Sequence, residues 1–167
     1  MESRCFKFLF LCAILLGTAS LRAQTRYLTK TVSITIPTVL DLQLSSGSSL
    51  NFIFDTSTKL DNGIELLTAT TLTYRSNQAW FVTIQSVAAN FSGGQGTMPA
   101  SVLQFKKNVG GTYAPLSNSP LSLSGTTGAK NLRGTSTIGV DYFMNPGFVY
   151  EPALDYSLDI LFTISNL

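Results

Sequence analysis

Apolar side chains recur at every second position through most of this chain, and that period constrains the fold more than any other feature. Successive side chains of a strand point to opposite faces, so Trp80, Val82 and Ile84 share one face while Phe81, Thr83 and Gln85 share the other. The same two-faced pattern runs through residues 30–36, 38–44, 50–54, 64–68, 70–75, 102–106, 137–143 and 156–165, with shorter runs at 112–116 and 121–124. Pro37, Asp61-Asn62-Gly63, Gly93-Gly94, the 108–111 turn and Asn145-Pro146-Gly147 interrupt them. No segment shows a helical period. Short strands at close spacing predict an all-β chain, folded as a single Ig-like or jelly-roll-like antiparallel β-sandwich.

Residues 75–86 carry the only tryptophan and predict a central strand, with Trp80 in the core because it is in phase with Val82 and Ile84. Residues 156–165 form the longest strand signal. Residues 117–134 are rich in Ser, Thr, Gly and Asn and predict a long polar loop around the short strand at 121–124.

The beginning of the chain reads differently. Arg4 and Lys7 flank a short start, residues 8–16 are apolar, and residues 17–23 are mostly small, which is the layout of a signal peptide cleaved after Ala23. The apolar run is shorter than the roughly 20 residues of a membrane-spanning helix. Residues 24–167 are then the sandwich domain, expected to be secreted or in the cell envelope: periplasm, outer surface or extracellular space. Cys5, Cys12, Arg4, Lys7, Arg22 and Glu2 leave with the leader, so the remaining chain is formally neutral and disulfide-free. It carries no basic footprint for nucleic acid, and at this length packing alone can hold it.

Chemistry is scarce. The chain has no histidine, and both cysteines lie in the leader, which removes most nucleophile-base pairs and most zinc or copper sites. Carboxylates gather at Asp55, Asp61 and Glu65 and again at Asp141, Glu151, Asp155 and Asp159, several of them on outward strand faces. Glycoside hydrolysis would need two of them across a cleft, about 5–5.5 Å or 6.5–9.5 Å apart. Residues 55–62 offer oxygen ligands without the spacing and closing glutamate of an EF-hand loop, and read as turn-stabilising side chains. Asn90-Phe91-Ser92 matches the N-glycosylation triplet. The expectation is a protein that is not an enzyme, with no catalytic residue, no metal ligand and no cofactor.

Binding is the better prospect. Phe81, on the face opposite Trp80, and Tyr113, Phe148 and Tyr150, beside turns, are the candidate partner contacts. A long, apolar terminal strand with little charge recruits another chain when it lies at a sheet edge, and strand addition of this kind joins the subunits of surface fibres. The expected partners are a second copy, through the C-terminal strand, or a surface glycan.

From Trp80 onward the layout resembles the WxL-type surface domains of secreted bacterial proteins. The likeness lies in Trp80-Phe81-Val82-Thr83-Ile84, a Gly-rich break, Val102-Leu103-Gln104-Phe105 and a closing strand through Leu158, Ile160, Phe162 and Ile164. Val82 stands where that motif has leucine, and Leu161-Phe162-Thr163 where a second motif would fall. The leader end Leu21-Arg22-Ala23-Gln24 is similar to those of secreted Bacteroidota proteins, and the fold class with its terminal strand is similar to fimbrial subunits. The resemblance implies a structural or adhesive protein at the cell surface or outside the cell. The alternative is a carbohydrate- or peptidoglycan-binding module.

Overall fold

The computed structural model describes residues 26–94 and 96–167; the signal-peptide reading of residues 1–23 lies outside them. Residues 1–35 and 36–167 form two separate units. In the first, residues 26–35 run without strand pairing and lie open to solvent. The strand expected over 30–36 is therefore not formed: Val32, Ile34 and Ile36 are 72%, 78% and 77% exposed. An alternating sequence prepares a strand, but its backbone N–H and C=O groups need a neighbouring edge to pair with.

The second unit contains strands β1 (Leu40–Ser46), β2 (Ile64–Ser76), β3 (Phe81–Ser86), β4 (Leu103–Lys107), β5 (Ala114–Pro115), β6 (Leu121–Ser124), β7 (Gly134–Met144) and β8 (Ile160–Ser165), with one short helix, α1 (Ser57–Asn62). They make two antiparallel sheets, ordered β1-β2-β7-β4-β5 and β6-β3-β8. Leu72, Ile138, Val140, Tyr142, Leu103 and Phe105 of the first sheet meet Trp80, Val82, Ile84 and Leu123 of the second in a single core. The predicted β-sandwich is the observed fold. β3 is the centre of its sheet, and Trp80, beside it, is 1% exposed with its indole N–H donating to the Leu132 carbonyl at 2.9 Å.

Local departures have local causes. Residues 64–68 and 70–75 are one strand, β2, because a bulge between Leu66 and Thr70 absorbs the phase change. There Thr68 takes a left-handed φ of 48°, and its N–H donates to Oδ1 of buried Asp141 at 2.6 Å. At 61–63, where a turn was expected, the end of α1 is found; Thr56 caps the helix by accepting from Lys59 N, and Gly63 closes it at φ 74°. A helix of one and a half turns is too short to display a helical period in the sequence. β2 has 13 residues and β7 has 11, whereas β8 has 6, so the C-terminal strand is not the longest. Residues 156–159 continue it outside the ladder, held at Ser157 by a bridge to Ser92. Residues 50–54 alternate as expected, with Leu50, Phe52 and Phe54 half-buried between exposed Asn51 and Ile53, yet they join neither sheet.

Candidate functional site: an open groove beside the terminal strand

Two stretches with strand patterning and no complete ladder, 50–55 and 156–160, face a shared groove of about 1330 Å³. Leu50, Phe52 and Phe54 line it from one, and Leu158, Ile160 and Phe162 from the other. Thr70, Met98, Leu103, Tyr142 and Met144 supply further lining from the core, and residues 146–154 contribute Phe148 and Tyr150.

Each wall is fixed from its own sequence. Gly47, at φ 76°, turns the chain out of β1 into residues 48–55, and a Cβ at that position would fall on the Ala69 carbonyl oxygen. The opposite wall is tied at Ser92 and Ser157, which pair through backbone and hydroxyl groups, and by the Gly94 N–H, which donates to Asp155 Oδ1 at 3.0 Å. The Tyr156 hydroxyl donates to the Glu151 carbonyl at 3.0 Å and holds the 146–154 loop. In the floor, the Tyr142 hydroxyl donates to Thr70 Oγ1 at 3.2 Å, and burial pushes its pKa up to about 12.

Among the described residues, β8 pairs only with β3, so its other edge is free, and residues 50–55 have no ladder partner. The charged residues lining the groove, Asp55, Glu151 and Asp159, are all acidic. Asp55 is engaged by Lys59 at 2.7 Å, a hydrogen bond that holds its carboxyl below the usual range. Apolar walls, unpaired backbone edges and an acidic lining suit an extended peptide segment with an alternating apolar face.

The four aromatic contact candidates separate. Phe148, 67% exposed, and Tyr150, half-buried against the core, both line the groove. Phe81 is half-buried on β3 and does not line it. Tyr113 is occupied elsewhere: its hydroxyl donates to Glu65 at 2.7 Å, Lys106 Nζ sits 4.3 Å from its ring centroid, and the Phe143 ring lies 5.8 Å away. The Tyr113 and Lys106 hydrogen bonds lower the Glu65 pKa, while burial and Glu65 raise that of Tyr113. The wall at 50–54 was visible in the sequence as an alternating run, but nothing local distinguished a groove wall from a paired strand.

The molecule is thus an antiparallel β-sandwich with an apolar groove beside a free strand edge. No family model and no curated protein matches the chain, so the WxL-type likeness rests on the residues quoted for it. Among solved structures, a chain in the structure of a chaperone-usher pilus is similar at 10% identity and a TM-score of 0.41, over 86% of this chain and 97% of that chain.

Proposed function

We propose that this protein is a non-catalytic structural or adhesive subunit, exported from the cytoplasm, that associates with further copies of itself through the free edge of β8 and the groove beside it. The observation that carries this reading is the edge itself: an apolar strand with an open flank and an apolar groove is what strand addition requires. Three carboxylates considered for catalysis have structural duties, Asp55 with Lys59 and both Glu65 and Asp141 with Lys106. Among the described residues, no helix is long and apolar enough to cross a membrane.

Exposed Phe148 at the groove favours a second reading, a carbohydrate- or peptidoglycan-binding module, since sugar rings stack on such aromatic faces. Sedimentation of the purified chain over a wide concentration range separates the two. Concentration-dependent polymers support a self-assembling subunit. A monomer at every concentration that binds a glycan, and loses that binding on Phe148→Ala, replaces the first reading with the second.

A further inference from the structure

We infer that the groove receives residues 28–36 of a second copy of this chain, with Lys30 setting the register of the incoming segment; this rests on the self-association reading above. The segment has a two-faced sequence: Leu28, Val32, Ile34 and Ile36 fall on one side of an extended chain, and Thr29, Thr31, Ser33 and Thr35 on the other. The apolar side is open to solvent, with Ile34 78% exposed. The groove offers the complement, with every second residue of both walls apolar and turned into it, as at Phe52 and Phe54 and at Leu158 and Ile160.

Charge favours this occupant over an arbitrary apolar strand. Residues 26–36 contain Arg26 and Lys30 and no acid, whereas the charged groups lining the groove are Asp55, Glu151 and Asp159. Lys30 is in phase with the apolar side, so docking carries its ammonium toward the groove. Asp55 already pairs with Lys59, which leaves Glu151 and Asp159 without a cationic partner among the described residues. A shift of one residue would turn the apolar side outward, and a shift of two would move Lys30 among the apolar walls. The lysine therefore selects one register.

Reach and termination also agree. Residues 28–36 span roughly 30 Å when extended, comparable with the run from residue 156 to the end of β8. Pro37 follows directly; lacking an N–H, it ends a ladder before the donor's own β1 begins. The donating segment and the receiving groove are different surfaces, so each copy can receive one neighbour and supply another. Such a contact does not close on itself and grows as an open chain of subunits.

The test uses the full chain and a fluorescent peptide of residues 26–38. Concentration-dependent sedimentation of the unaltered protein should be lost in Ile34→Asp, a change at an exposed position that leaves thermal unfolding alone. The Ile34→Asp chain should still bind the unaltered peptide through its own groove. A peptide carrying the same change should bind roughly a hundredfold more weakly, because it places an unpaired carboxylate among apolar walls. Lys30→Glu should weaken assembly, and Lys30→Glu combined with Glu151→Lys should restore it. Growth of Ile34→Asp at the unaltered rate would overturn the assignment of the segment while leaving self-association through β8 standing. A chain that stays monomeric and does not bind the peptide would sink both. Loss of thermal stability in monomeric Ile34→Asp would show that the segment serves its own chain and would also overturn the proposal. If the charge swap fails to restore assembly lost in Lys30→Glu, Lys30 is not the register key.

Discussion

Tyr74 of β2 and Trp80 beside β3 bring their ring centroids within 3.9 Å at an interplanar angle of 44°, joining the two sheets at one end of the core. The Trp80 indole N–H is satisfied at the same time by the Leu132 carbonyl, which ties the 125–133 loop to this contact. Trp80→Ala should cost about 3–5 kcal/mol of unfolding free energy, and Trp80→Phe less, since it keeps a ring but abandons the hydrogen bond. Denaturant melts of the two variants give the order directly; equal costs would assign the effect to the lost indole bond alone.

Asp141 is 3% exposed, yet it serves the Thr68 N–H at the β2 bulge and lies 3.5 Å from Lys106. Removing it leaves a buried N–H and a lysine without this partner. Asp141→Ala should therefore cost about 1.5–3 kcal/mol, the range for hydrogen bonds to charged groups, and amide exchange of Thr68 should quicken. Unchanged exchange there would separate the bulge from the carboxylate.

Ser86 behaves oppositely. Its hydroxyl is the buried side-chain polar atom with no hydrogen-bond partner among the described residues, while its backbone N–H is bonded to the Ser117 carbonyl at 2.8 Å. Ser86→Ala keeps the backbone bond and removes the unsatisfied group, so stability should rise by about 1 kcal/mol. A destabilised variant would reveal a partner for that hydroxyl.

Gly47 controls the groove through backbone shape. Its φ of 76° and the nearby Ala69 carbonyl leave no room for a side chain. Gly47→Ala should cost about 1–3 kcal/mol and shift residues 48–55. Binding of the 26–38 peptide should weaken with it. Full peptide affinity in a destabilised Gly47→Ala chain would uncouple that wall from binding.

Alkaline pH should act on the floor of the groove. Tyr142 has its pKa raised by burial from 10.0 to about 12. The folded state then holds a proton that the unfolded state releases, so stability is intact below pH 10 and falls as pH rises from 10 toward 12. Tyrosinate absorbance followed alongside circular dichroism should show this tyrosine ionising with unfolding. Ionisation near pH 10 in the folded protein would contradict its burial.

Residue period alone determined the class of this protein and much of its interior. Trp80, Val82 and Ile84 share a face because strands alternate, and that face is buried; residues 121–124 and most of 137–143 are strands for the same local reason. The aromatic residues near Asn145-Pro146-Gly147 were also identifiable as contact candidates, and Phe148 and Tyr150 do line the groove. Only the tertiary structure decided which alternating runs found a neighbour. Residues 30–36, 50–54 and 156–159 carry the same pattern as β2 and β7, but strand pairing joins residues far apart in the chain, and nothing within a run says whether a partner edge lies beside it. Tyr113 likewise looked available until folding brought Glu65, Lys106 and Phe143 around it. The groove belongs to that second category: it arises because two apolar, strand-like stretches stand facing each other with their backbone edges left unpaired.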